Sequence, residues 1–291
     1  MKRGVPGVLL LVCLAPVASS RVPEVSFERI ATASLPEPAK VLVLLPPSYA
    51  KDTARRYPVL YFLHDAWGGA GSLDSSGVAA KLEDRMSRGL LPEFLVVAPG
   101  APGSWFSDSR DGVHRYEEFL TGDLIAQVEK RYRVRGGQNA RGITGISMGG
   151  YGAFKIALKH PDLYGAVSSL SGALIPMEWD DLERYNAFAR WTLKRVFGSS
   201  RQDNSLASND VWEILRKLHF DTPPFAAHLR AGAQDFYGLD GVAAQFGVFL
   251  TEHGVPASVV LEPGGHDWAY WRRAMLPIAE WHGSNFSYDP K

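Results

Sequence analysis

One serine stands in a setting suited to nucleophilic chemistry. Gly145-Ile146-Ser147-Met148-Gly149 fits G-x-S-x-G, the pattern in which a serine occupies a sharp turn between a strand and a helix and flanking glycines let the backbone pass close by. The apolar run Arg141 to Ile146 leads in, and Gly149 to Leu158 leads out as a helix with a small-residue face. A hydroxyl at such a helix start lies near the positive end of the helix dipole, which favours a developing anion. Serine at its own pKa is a weak nucleophile and needs a general base, itself oriented by an acid. After a turn of this kind those partners come later in the chain, acid first and histidine second. Asp235 in Leu229-Arg230-Ala231-Gly232-Ala233-Gln234-Asp235 and His266 in Glu262-Pro263-Gly264-Gly265-His266-Asp267-Trp268 each follow an apolar run and stand in that order. A tetrahedral oxyanion needs amide donors, one from the residue after the nucleophile and one from an early strand-end loop. Met148 and the loop His64-Asp65-Ala66-Trp67-Gly68-Gly69 meet that description.

Other residues compete for these roles. Asp267 is an alternative orienting acid, although adjacent side chains seldom align for it. His64 ends an apolar run and is read as hydrogen-bonding its own loop, with substrate contact as the alternative. His114, His160, His219, His228, His253 and His282 sit in helical or polar contexts that suit solvated or capping roles, and His160 before Pro161 would place a cation at a helix end. Phe106-Ser107-Asp108-Ser109-Arg110-Asp111-Gly112 has a faint calcium-loop look but lacks the later glutamate, so it reads as a polar loop beside the cleft. No His-Glu-x-x-His or clustered carboxylate–histidine pattern is present, so neither a metal nor another cofactor is implied. Trp67, Trp105, Phe106, Trp268 and Trp271 could stack on a substrate ring or simply pack the core.

The elements that must position these residues alternate. Short β-branched and apolar runs at Val41 to Leu45, Val59 to Leu63, Phe94 to Ala98, Arg141 to Ile146, Ala166 to Leu170, Ala226 to Leu229 and Ser258 to Leu261 read as strands. Between them, three- and four-residue apolar spacing predicts helices at Val78 to Met86, Tyr116 to Tyr132, Gly150 to His160, Val242 to His253 and Trp268 to Ala279. Such alternation predicts an α/β fold with a mostly parallel sheet covered on both faces. Phe27 to Ala33 and Val41 to Leu45 have no helix between them and are expected to pair antiparallel. From Pro176 to Pro224 the rhythm breaks. This stretch, too long for an ordinary connection, reads as a helical insertion whose aromatics, Trp179, Phe188, Trp191 and Trp212 among them, either roof part of a cleft or pack it onto the body.

Composition narrows the partners. The chain has 291 residues, 46% of them hydrophobic and 21% charged, which excludes disordered, collagen-like and coiled-coil classes. Thirty-one basic residues balance thirty-one acidic ones, so there is no bulk attraction for nucleic acid or an anionic membrane. Lys2 and Arg3, a short apolar run from Val8 to Leu14, and Ala18-Ser19-Ser20 have the layout of a secretory leader; the run is far too short to span a bilayer. Residues 1–20 are therefore expected to direct export to the periplasm or medium, leaving 21–291 as one domain. Cys13, the only cysteine, lies within that leader. It is preceded by Val12 rather than Ala or Gly, so lipid anchoring is not expected. A mature chain without cysteine excludes thiol catalysis and disulfides. Oligomeric state is not legible.

Three separated motifs, Gly145 to Ala153, Ser169-Leu170-Ser171-Gly172-Ala173, and Gly264-Gly265-His266-Asp267-Trp268 with Tyr270-Trp271, resemble the esterase D or putative-esterase family of α/β-hydrolases. That family includes feruloyl esterases, tributyrin-type esterases, formylglutathione hydrolases and mycolyltransferases. The similarity runs from about Val41 to Trp281. It implies an α/β-hydrolase fold, Ser147 as nucleophile, Asp235 as acid, His266 as base, and the amides of Ala66 and Met148 as oxyanion hole. The implied substrate is a small-molecule or carbohydrate-linked ester of a small or feruloyl-type acid, contacted by Trp67 and Trp268. Acyl transfer to a sugar or other alcohol, or non-catalytic binding on the same fold, are the alternatives. One residue departs from the family: Asp65 stands where a glycine is common, which would place an aspartate in a backbone conformation that favours glycine.

Overall fold

The computed structural model describes residues 24–177, 187–198 and 205–288, the side chain of Phe188 excepted; the leader and Trp179 lie outside the described residues. Eight strands form one sheet: β1 (Val25–Ile30), β2 (Ala39–Leu44), β3 (Val59–Leu63), β4 (Leu95–Pro99), β5 (Arg141–Ile146), β6 (Ala166–Leu170), β7 (Ala226–Gly232) and β8 (Ala257–Glu262). Their spatial order is β1-β2-β4-β3-β5-β6-β7-β8. β1 pairs antiparallel with β2, and β2 with β4; every later pairing is parallel. The expected antiparallel entry into a parallel sheet is thus present. β3, β4 and β6 are buried at every position, as strands covered on both faces must be.

The helices divide between those faces. They are α1 (Ser72–Ser75), α2 (Val78–Ser87), α3 (Tyr116–Glu118), α4 (Leu124–Arg131), α5 (Met148–Lys159), α6 (Ala187–Phe197), α7 (Val211–Arg216), α8 (Leu239–Glu252) and α9 (Trp268–Asn285). One π-helical turn, Phe119–Asp123, joins α3 to α4, so the predicted helix from Tyr116 is continuous but locally widened. Phe119, Leu124, Phe154, Phe246 and Leu250 bring α4, α5 and α8 into one core. Leu73, Leu82, Met86, Met275 and Ile278 bring α1, α2 and α9 into the other.

α9 runs past its predicted end at Ala279 to Asn285 despite Pro277, and this overturns the reading of two histidines as solvated or capping. His282 is fully buried, its Nε2 2.8 Å from Ser168 Oγ, which donates to Thr144 Oγ1 at 2.7 Å. His228 on β7 is also buried, stacked against Trp281 with ring centroids 5.2 Å apart. Burial lowers His282 to about 3 and His228 to about 4, so both are neutral.

Among the described residues of the inserted stretch, α6 and α7 are helical. Trp212 packs against Phe246 and Phe249 and donates to Leu174 O at 2.6 Å, while Ala189 of α6 lines the cleft beside Ser147. Packing and roofing both occur, on different residues.

Candidate active site

Ser147 sits between β5 and α5 with φ 53° and ψ −114°, a left-handed conformation uncommon for a residue with a side chain. The sequence permits it through its neighbours. A Cβ on Gly145 would lie 2.3 Å from Gly149, and one on Gly149 would lie 2.1 Å from Leu63 O, so neither position tolerates a side chain. The Ser147 N–H donates to Leu170 O at 3.0 Å, and Ser147 O accepts from Ala173 N–H at 3.0 Å. The turn is therefore fastened to the end of β6, in the Ser169–Ala173 motif.

Asp235 follows β7 and His266 follows β8. Ala233 N–H donates to Glu262 O at 2.8 Å, Gln234 N–H to Gly264 O at 2.9 Å, and Gly264 N–H to Gln234 Oε1 at 2.8 Å, stitching the two loops together. His266 Nδ1 is 2.7 Å from Asp235 Oδ2, and His266 Nε2 is 3.0 Å from Ser147 Oγ. The second carboxylate oxygen, Oδ1, accepts from Tyr237 N–H at 2.9 Å. The Asp235 side chain is fully buried and that of His266 is 8% exposed. This geometry fits an Nδ1–H donated to the carboxylate and an Nε2 lone pair turned to the serine hydroxyl. Tyr237 and Trp271 meet the imidazole edge-on at 5.0 and 4.9 Å, and Phe236 does so at 5.8 Å.

Asp267 accepts from Tyr270 N–H at 2.9 Å and caps α9, which accounts for its carboxylate without the imidazole. His64 hydrogen-bonds its own loop. Its Nε2 accepts from Ala101 N–H at 2.9 Å, which leaves the proton on Nδ1, 2.6 Å from Asp65 O. Burial lowers its pKa and keeps it neutral. His160 does end α5, with Nε2 3.2 Å from Glu117.

Ser147, Met148, Ala66, Trp67, His266 and Trp268 line one cavity of about 370 Å³, together with Trp105 and Trp271. Phe106 does not: it is buried against His64. Asp65 does not take the left-handed conformation expected of it, since it is absent from the residues with positive φ. Its Oδ1 instead accepts from Trp67 N–H at 2.9 Å, and its carbonyl accepts from Gly68 N–H at 3.1 Å. A side-chain turn does the work a glycine would otherwise do.

Sequence reasoning missed Lys155. Its side chain is fully buried on α5, where Nζ donates to Phe106 O at 2.7 Å and Ser107 Oγ at 2.6 Å and pairs with Glu117 at 2.8 Å. Burial alone would raise the Glu117 carboxyl, but Lys155, His160 and Lys159 together hold it well below the usual range. Lys155 thereby clamps a loop in which Trp105 and Phe106 both have positive φ. Trp105 Nε1 donates to Thr192 Oγ1 at 2.9 Å, tying the same loop to α6. Within an apolar helix motif a lone lysine gives no sign of such a role. Among the described residues no group of three candidate metal ligands occurs, and no helix is long and apolar enough to cross a membrane.

Comparison with known proteins bears on this arrangement. An acetyl esterase of Caldicellulosiruptor saccharolyticus is 26% identical over 252 residues, 83% of this chain and 91% of that enzyme. An endo-1,4-beta-xylanase/feruloyl esterase of Xylanibacter ruminicola is 32% identical over 188 residues, 61% of this chain but 25% of that longer protein. The solved structure of a ferulic acid esterase is similar at a TM-score of 0.76 and 26% identity, over 91% of this chain and 99% of that one. The family described as Putative esterase matches residues 32–282, a span that holds the whole sheet from β2 to β8 and every residue around Ser147, and the chain belongs to that family.

Proposed function

We propose that the protein is an exported serine carboxylic ester hydrolase acting on small acyl or feruloyl-type esters. The observation that carries the reading is the unbroken contact from Asp235 Oδ2 through His266 to Ser147 Oγ, at 2.7 and 3.0 Å. Ser147 Oγ attacks the ester carbonyl while its proton passes to His266 Nε2, and Asp235 holds the imidazole in the required tautomer. The amides of Ala66 and Met148 receive the oxyanion. Collapse breaks the bond to the leaving oxygen, which takes the proton from His266, and leaves an acyl-serine. Water, deprotonated by His266, then releases the acid and restores Ser147. The acetyl and feruloyl esterases among the relatives support an acyl group of that range, and the Trp105 and Trp271 walls suit an apolar or aromatic one. The layout of residues 1–20 supports export.

Replacing Ser147 by Ala tests the reading. The substitution is expected to lower kcat on 4-nitrophenyl acetate by about 10⁴-fold or more and to abolish covalent labelling by a fluorophosphonate. Wild-type nitrophenol release from that variant would overturn it.

A further inference from the structure

The loop after β4 borders two cavities. Trp105 lines the one beside Ser147, whereas Ser104, Ser107, Ser109 and Asp111 line a second, of about 390 Å³, under α6. The two adjoin at Ala66, and the Trp105–Thr192 hydrogen bond ties a wall of one to a wall of the other. The stretch Phe106 to Gly112, a polar loop by its sequence, thus faces a chamber that the steps at Ser147 do not use.

The polar groups of this chamber fall into two sets. Those on its buried floor are committed: Ser104 Oγ donates to Ala101 O at 2.8 Å, Ser107 Oγ to Trp105 O at 3.0 Å, and Thr192 Oγ1 to Ala189 O at 2.9 Å. Asp111 Oδ1 accepts from Ser109 Oγ at 2.5 Å and from Val113 N–H at 3.0 Å. The side chains of His114, Tyr116 and Arg195 line the same cavity and make no hydrogen bond or ion pair among the described residues. Asp111 therefore leaves the Arg195 charge unmatched. These three side chains are contiguous. The His114 and Tyr116 rings stack with centroids 6.3 Å apart, the Arg195 guanidinium lies 5.7 Å from the centre of the Trp191 ring, and its charge acts on the Tyr116 hydroxyl. Burial raises the pKa of that hydroxyl, which keeps it a donor at neutral pH. All three side chains can donate, and a guanidinium fork matches a carboxylate through two parallel hydrogen bonds. The indole and the stacked pair beside it offer flat faces to a ring.

We propose that this chamber is a second binding site, separate from Ser147, and that it takes an aryl carboxylate. Arg195 holds the carboxylate together with Tyr116 and His114, and the arene lies against Trp191. No bond forms or breaks there, so the inference goes beyond the hydrolase reading and does not depend on it.

The test separates charge from shape and this chamber from the one beside Ser147. Benzoate and its neutral counterpart benzamide are titrated calorimetrically into the wild type and Arg195→Gln. The wild type is expected to bind benzoate about tenfold or more tighter than benzamide, and Arg195→Gln to abolish that difference. The KM for 4-nitrophenyl acetate is expected to stay unchanged in saturating benzoate, because the ester enters the other cavity. No benzoate binding up to about 20 mM, equal affinity for the two probes in the wild type, or undiminished benzoate affinity in Arg195→Gln overturns the site. So does a KM that rises in proportion to benzoate, which places the acid beside Ser147 instead. A wild type that does not turn over the nitrophenyl ester counts against the hydrolase reading alone, and the calorimetry still decides the site. Arg195 is exposed, and the wild-type comparison of benzoate with benzamide decides the matter even where the variant fails to fold.

Discussion

The two sides of the cavity beside Ser147 are built by different means. Ser147, Asp235 and His266 stand just beyond β5, β7 and β8, and backbone hydrogen bonds hold their loops: Ser147 to Leu170, Ala233 to Glu262, Gln234 to Gly264. The facing wall, residues 64–69 and 101–107, depends on buried side chains instead. His64 bridges Asp65 O and Ala101 N, Asp65 organises its own turn, and Lys155 grips Phe106 O and Ser107. The placement of Ser147, His266 and Asp235 is thus inherited from the sheet, whereas the shape of the cleft is imposed by a few polar groups with no regular secondary structure to fall back on.

This contrast can be broken experimentally. Asp235→Asn should lower kcat by about 10⁴-fold by favouring the wrong imidazole tautomer, with the melting temperature changed little because Asn keeps an Oδ1 to accept from Tyr237 N–H and the bonds between the two loops do not involve this side chain. A large loss of stability would show that the loops after β7 and β8 are not self-supporting. Lys155→Met should act the other way. It removes the buried partner of Glu117, leaving that carboxylate to Lys159 and His160, and frees Phe106 O and Ser107 Oγ; it should cost about 3 kcal/mol of unfolding free energy, measured by urea titration, and a variant as stable as the wild type would remove the clamp from the account of the wall. The smallest effect concerns the sheet itself. His228 and His282 have folded pKa values of about 4 and about 3, below the ordinary 6.5, so the unfolded chain binds the extra protons. Their cost to stability is absent above about pH 6.5 and grows as pH falls toward 4. His282→Gln should narrow the difference between melting temperatures at pH 7 and pH 4.5; an unchanged difference would mean that His282 does not titrate on unfolding.

The same contrast explains what the sequence made legible. β3, β5 and β6 are found at their predicted limits because each is a short apolar run between turn residues, and a strand buried on both faces needs nothing else. Ser147, Asp235 and His266, which the structure brings into contact, could each be singled out as candidates because each carries its signal within a few residues, and the order of the motifs supplies the rest. The predicted ends failed where distant packing decides them. α9 continues because its last turns cover β5 to β7, which turns His282 inward, and no local pattern separates that histidine from a solvated one. Asp65 drew an expectation of left-handed backbone from its resemblance to a glycine position, yet its own carboxylate supplies the turn. Gln234 and Lys155 contribute through partners 30 and 49 residues away, and spacing along the chain carries no trace of them. Phe236 and Tyr237 adjoin Asp235 and could have been found from that adjacency.

The Lys155 clamp also orders events in time. Its ammonium belongs to the helix that begins after Ser147 but secures a carbonyl 49 residues earlier, and the intervening chain includes α4 and β5. In the folded chain that carbonyl meets the ammonium only because β5 lies beside β3 and α5 packs against both. During refolding, helical signal should therefore return before hydrolytic turnover does, the interval marking the closing of the wall.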